Sequence, residues 1–247
     1  MRRRSHLAMV GLASLLILAF VLPAATSAAT PNGKIRAFHN SPDTPAVDIW
    51  VNGAPALTNV TYGTVSNYLK VPRGDYLVEV KVAPSTAHDP AALSATVHVG
   101  VRPVTVAAIG SLTGDGAPLQ LKVLRDRDAI GGNWSLVRVA HTSPDAPAVD
   151  VQVRFGTRWI AVVEDLSFSE KSPYLPLPAK NPFTGKAIKW DIRIVAAGTN
   201  TVVLKLNDVK LPKGRALTVW AVGFLSPVGS TPGFGVKATF SSVETCQ

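Results

Sequence analysis

The segment HNSPDTPAVD at residues 39–48 decides the architecture, because it recurs as HTSPDAPAVD at residues 141–150. The two copies start 102 positions apart, and eight of their ten residues are identical. A second segment follows in the same order, since YLKVP at residues 68–72 returns as YLPLP at residues 174–178. Repetition of this length and order indicates a duplicated domain.

Each copy has the residue pattern of short β-strands. In the first copy Val47, Ile49 and Val51 alternate with other residues, and Asn52-Gly53 is a hairpin-turn signal. No window of twelve or more residues beyond the N-terminal segment keeps a helical period. We therefore predict an all-β protein of two tandem β-sandwich domains. Their predicted bounds are 34–128 and 135–245, and the short polar join suggests that the domains touch.

The N-terminus has the three parts of a secretory signal peptide. Three arginines follow Met1, residues 7–22 are apolar and uncharged, and residues 24–29 are small or polar. We predict a signal peptide at residues 1–28 and a protein that is secreted or held at the cell surface. The alternative is an uncleaved anchor, in which case this segment is the only contact with a membrane.

The charge balance is modestly basic. The chain has 25 Lys and Arg against 16 Asp and Glu, and removal of the N-terminal segment leaves 22 against 16. Outside the cell this suits an anionic envelope polymer or polysaccharide better than nucleic acid, although the charge could serve solubility alone. Cys246 is the single cysteine, so the chain forms no internal disulfide.

Two stretches resemble a known family. VRVAHTSPDAP at residues 137–147 and YLKVPRGDY at residues 68–76 are similar to the marks of the domain of unknown function 4397, found as tandem copies in exported bacterial proteins. The resemblance implies immunoglobulin-like or transthyretin-like sandwiches outside the cell. It implies no activity, substrate or catalytic residue. The second copy departs from the pattern, because an insertion at residues 179–189 replaces the family's Pro-x-Gly-x-Tyr turn.

The repeated motif brings histidine and aspartate close together in each copy. We favour a structural role, in which the histidine hydrogen-bonds the loop and the aspartates accept backbone N–H groups. The alternative is a metal site, with mixed nitrogen and oxygen ligands suited to zinc or manganese. The candidate ligands are His39, Asp43, Asp48, His141, Asp145 and Asp150.

The insertion in the second copy is the strongest candidate for ligand binding. It interleaves Lys180, Lys186 and Lys189 with the aromatic residues Phe183 and Trp190. Cations beside an aromatic platform suit an anionic sugar or polymer. The alternative is a hairpin whose aromatic rings pack on their own domain.

Motifs of common hydrolases and of phosphate-binding loops are missing from the sequence. We therefore predict a non-catalytic, exported binding or scaffolding protein without a cofactor. The alternatives are a secreted hydrolase with its site at the domain junction, and a metal-binding module that uses the motif loops.

Overall fold

The computed structural model describes residues 33–128 and 130–241, which form two β-sandwiches of eight strands each. The predicted signal peptide and Cys246 lie outside these residues. Within the described ranges, no helix is long and apolar enough to cross a membrane. All sixteen elements in the described ranges are strands, which confirms the all-β prediction.

The first sandwich consists of two four-stranded sheets. Its strands are β1 (Gly33–Asn40), β2 (Val47–Val51), β3 (Ala54–Val60), β4 (Leu69–Val71), β5 (Gly74–Val82), β6 (Leu93–Val99), β7 (Val104–Ile109) and β8 (Gln120–Arg125). One sheet has the order β4-β1-β7-β8, in which β1 and β7 are parallel. The other is an antiparallel sheet with the order β3-β2-β5-β6.

The second sandwich repeats this topology strand for strand. Its strands are β9 (Trp134–His141), β10 (Val149–Phe155), β11 (Arg158–Leu166), β12 (Leu175–Pro178), β13 (Lys189–Ala196), β14 (Val202–Lys210), β15 (Ala216–Val222) and β16 (Gly235–Phe240). The sheet orders are β12-β9-β15-β16, with β9 and β15 parallel, and β11-β10-β13-β14. The predicted duplication thus extends to every strand.

Local turn chemistry explains the hairpin between β2 and β3. Asn52 and Gly53 adopt positive φ angles of 50° and 78°. This geometry matches the twist of two antiparallel strands joined by a two-residue turn, and Asn-Gly is the preferred pair for it. The predicted hairpin is therefore present.

Strand β1 is buried on both faces, whereas a strand at the surface of a sandwich usually buries only one. Ile35 packs in the core of the first sandwich, together with valines of the opposite sheet. Phe38 belongs to a different cluster that also contains Ala140 and Trp220 of the second sandwich. The rings of Phe38 and Trp220 pack edge to face, with centroids 5.1 Å apart. The second face of β1 is therefore a domain interface.

Equivalent residues of the two repeats meet across this interface. The Asn40 side-chain amide donates to the Thr142 hydroxyl at 2.7 Å, and these residues occupy the same place in the two motifs. Arg36 donates to the carbonyl of Phe240 at 2.9 Å, and Arg138 donates to the carbonyl of Arg125 at 2.8 Å. Such reciprocal contacts indicate an approximate two-fold axis between the sandwiches.

Candidate functional site

The two motif histidines hold their own loops. Nε2 of His39 donates to the carbonyl of Pro45 at 3.0 Å, and Nε2 of His141 donates to that of Pro147 at 2.9 Å. Burial lowers the pKa of both imidazoles and outweighs the opposing effect of these carbonyls. Each histidine is therefore a neutral, buried donor that holds its own motif loop.

The first aspartate of each motif ties the motif loop to the turn after the parallel strand. Asp43 accepts the amides of Leu112 and Thr113 at 2.9 and 3.0 Å. Asp145 accepts the amides of Leu225 and Ser226 at 2.6 and 2.8 Å. Burial by itself would raise the pKa of Asp43, but these amides and two hydroxyls outweigh it and hold that pKa below its usual range.

The second aspartate of each motif stabilises a β-bulge in the neighbouring strand. Asp48 accepts the amide of Asn59 at 2.8 Å, and Asp150 accepts the amide of Asp165 at 2.8 Å. Both donors have a positive φ, and both lie beside register shifts in the strand pairing. The hydrogen bond from Asn59 lowers the pKa of Asp48 despite its burial. An aspartate at this position fixes a strained backbone that the bulge requires.

These hydrogen bonds account for the histidine and the two aspartates of each motif. Across the two described ranges there is no group of three or more His, Cys, Asp or Glu residues that could hold a metal ion. The metal hypothesis for the six motif residues stays a prediction, without a supporting cluster.

The insertion forms a small hairpin between β12 and β13, and its five candidate residues do not converge. Trp190 is 5% exposed, donates to the carbonyl of Pro178 and packs against Phe155 with ring centroids 5.7 Å apart. Phe183 is 95% exposed at the tip, and Lys189 pairs with Asp208 at 3.2 Å. Trp190 is thus a core residue, so the ligand-binding hypothesis rests on Phe183, with Lys180 and Lys186 on the same hairpin, and stays a prediction.

Asp126 forms a buried charge cluster between the domains. It is 0% exposed, and its carboxylate accepts a hydrogen bond from Nη2 of Arg138 at 2.6 Å. The same carboxylate lies 3.6 Å from Nη2 of Arg36. The hydroxyls of Tyr68 and Thr105 also donate to it. A buried carboxylate that accepts this many hydrogen bonds fixes the geometry of its partners.

Aromatic rings complete this cluster, which we call the seam: Arg36, Tyr68, Asp126, Arg138 and Tyr174. The guanidinium of Arg36 lies 4.4 Å from the ring centroid of Tyr68, and that of Arg138 lies 4.6 Å from that of Tyr174. Burial raises the pKa of the Tyr68 phenol, and the negative charge of Asp126 raises it further. Tyr68 therefore stays protonated as a donor to Asp126.

Sequence reasoning missed the seam. Asp126 lies in the stretch interpreted above as a short polar join between the domains, and the alternation around Arg36 predicts no role for its side chain. One signal was available: Arg36 and Arg138 occupy equivalent positions ahead of the two motifs, and a tyrosine follows each motif. A charge that recurs in the middle of a strand in both copies is typical of a buried pair.

Two clefts are lined by residues of both sandwiches. One has a volume of about 370 Å³ and is lined by basic, hydroxyl, amide and aromatic side chains: Lys34, Arg36, Ser66, Asn67, Tyr68, Lys70, Arg215, Phe240 and Ser241. The other, of about 220 Å³, lies between the motif loops and includes Asp43, Asp115 and Asp145. We call the first the basic cleft. None of its described lining residues is acidic or a histidine.

Comparison with known proteins agrees with this duplicated architecture. A search of curated proteins found no match to the chain. One family, described as a domain of unknown function (DUF4397), matches residues 33–152 and again residues 135–234. The two matches include most strands of both sandwiches, and the chain therefore belongs to the DUF4397 family, of which it carries two tandem copies.

Proposed function

We propose that this is an exported, non-catalytic binding or scaffolding protein that acts as one rigid two-domain unit at the cell surface, with an anionic envelope polymer as its partner. The observation that carries the proposal is the seam. Domains that share a buried charge cluster and an apolar cluster move as one body, whereas linked domains normally retain relative motion. A rigid unit with two loop-bearing ends is suited to presenting a fixed binding surface.

The hydrogen bonding of the motif supports a structural use of its polar residues. The histidines close the loops, and all four aspartates bind backbone amides. The hydrolase alternative needs an acid–base pair at the junction. The basic cleft offers Lys, Arg, Ser, Asn and Tyr among its described residues, which is a set suited to holding an anion.

Charge supports the choice of partner. Four of the residues that line the basic cleft are Lys or Arg. Such a concentration of one sign at a concave surface focuses the electrostatic potential and attracts anions.

Retention on the envelope of the source organism tests the function. The mature chain, without residues 1–28, is immobilised and incubated with the solubilised envelope fraction at low and high salt. We expect an anionic polymer to be retained at 50 mM salt and released at 0.5 M, because screening weakens attraction between exposed charges. An unrelated protein of similar size and net charge is the control. Retention equal to that control would contradict the proposal.

A further inference from the structure

The approximate two-fold axis makes the two ends of the seam comparable, and they differ in one charge. The amide of Asp126 donates to the carbonyl of Pro103 directly after β8, and that of Ser241 donates to the carbonyl of Ala216 directly after β16. The strand registers match these positions, since Arg125 pairs with Val104 as Phe240 pairs with Leu217. Ser241 therefore stands where the other half has a carboxylate.

A second difference adds positive charge on the Ser241 side. Lys34 and Lys70 are cross-strand neighbours in the pairing of β1 with β4. The equivalent neighbours in the pairing of β9 with β12 are Leu136 and Pro176. One half of the protein thus has a carboxylate and no lysine pair, whereas the other has a lysine pair and no carboxylate at the same place.

These differences meet in the basic cleft. Lys34, Lys70 and Ser241 line it together with Arg36, which is buried, and Arg215, which is exposed. Its volume of about 370 Å³ lies within the range of small-ligand sites. Lys34 and Lys70 also have interaction partners within the protein, so a ligand would share these cations with them. Phe240 and Tyr68 supply apolar surface beside the charges.

We propose that the basic cleft is a binding site for a single carboxylate or phosphate group of an anionic polymer, which lies beside Ser241 and the lysine pair. Lys34 and Lys70 provide most of the charge, because Arg36 shares the carboxylate of Asp126 with Arg138, and the hydroxyl of Ser241 provides a neutral donor. This inference rests on the proposed function and names the site and the ligand chemistry for it.

Ser241→Asp tests the site directly, because it places a carboxylate of the protein where the ligand's anion would lie. The probes are polygalacturonate, which carries carboxylates, and polyphosphate, with neutral dextran as a blank. We expect the mature protein to bind at least one polyanion, and Ser241→Asp to weaken that binding at least about tenfold. The Ser241→Asn variant introduces a neutral side chain similar in size to aspartate, and it should bind the polyanion within about threefold of the wild type. Equal binding by the Asp and Asn variants would overturn the proposal.

A pair of surface variants keeps the test valid if Ser241→Asp fails to fold. Lys34→Gln with Lys70→Gln should weaken polyanion binding at least about tenfold. Lys180→Gln with Lys186→Gln removes the same charge from the insertion hairpin and should have less than about a threefold effect. Equal losses would indicate attraction to net charge alone. A greater loss for the hairpin pair would move the site to the insertion. Either result overturns the assignment to the cleft.

The outcomes also separate this site from the proposed function. If the wild type binds neither polyanion, the inference about the cleft is wrong. Envelope retention that persists in both the Ser241→Asp and the Lys34→Gln/Lys70→Gln variants would refute the cleft and leave the function standing. Binding of a defined polyanion without envelope retention would support the cleft and refute the proposed function. Preference for polygalacturonate or for polyphosphate identifies the group as a carboxylate or a phosphate.

Discussion

At the scale of single residues, Asp126 balances two buried arginines that come from different domains. Arg36 and Arg138 are 6% and 2% exposed, and both guanidinium groups lie against this carboxylate. A buried ion pair contributes little net stability when it is intact, but removal of one partner leaves an uncompensated charge buried away from water. The effect of a substitution here should therefore exceed that of ordinary surface changes.

Asp126→Asn should lower the free energy of unfolding by about 3–5 kcal/mol, because both arginines lose the charge that compensates them. Asp128→Asn lies two residues further along in an exposed position and is the matched control, with an expected effect within about 0.5 kcal/mol. Urea denaturation followed by tryptophan fluorescence measures both. Similar stabilities for the two variants would contradict the role assigned to Asp126.

The motif histidines predict a loss of stability on mild acidification. Their pKa values are lowered in the folded state, so their contribution is complete above the unfolded value of about 6.5 and declines as pH falls below it. The free energy of unfolding should thus fall between pH 7.5 and pH 5. The double variant His39→Gln, His141→Gln should show a flatter decline, whereas the exposed His88→Gln should follow the wild type. Parallel profiles for all three would argue against this linkage.

At the scale of elements, the loop between β7 and β8 packs tightly on the second motif. Gly116 has a φ of 106°, and a Cβ there would lie 2.4 Å from the carbonyl oxygen of Pro144. The neighbouring amide of Ala117 donates to the same carbonyl at 2.8 Å. Glycine is required at this position for two reasons, a left-handed backbone and a close approach between domains.

Comparison of Gly116→Ala with Gly114→Ala separates the effect of the left-handed backbone from that of the close approach between domains. Gly114 also has a positive φ, of 85°, but a Cβ there would meet nothing within 4 Å. Gly114→Ala should lower the free energy of unfolding by about 1 kcal/mol through backbone strain alone. Gly116→Ala should cost at least about 2 kcal/mol more, because the loops must separate. Denaturant titration measures both, and equal losses would show that the domains are not in close contact there.

At the scale of the whole molecule, the sequence predicts the fold better than the interface. Duplication, strand alternation and the Asn52-Gly53 turn are local signals, and they lead to two β-sandwiches. The burial of Phe38 and Asp126 depends on a second domain at the same surface, and alternation along one strand contains no information about that surface. Trp190 illustrates the same limit, since an aromatic residue next to a basic insertion can equally be a binding platform or, as here, part of the core.

Differential scanning calorimetry of the chain without residues 1–28 tests most directly whether the two sandwiches behave as one body. The seam and the shared apolar cluster predict that neither domain unfolds while the other remains folded. We therefore expect one heat-absorption peak, with a calorimetric enthalpy equal to the van't Hoff enthalpy. Two separable transitions, or a calorimetric enthalpy about twice the van't Hoff value, would show two independent domains and contradict it.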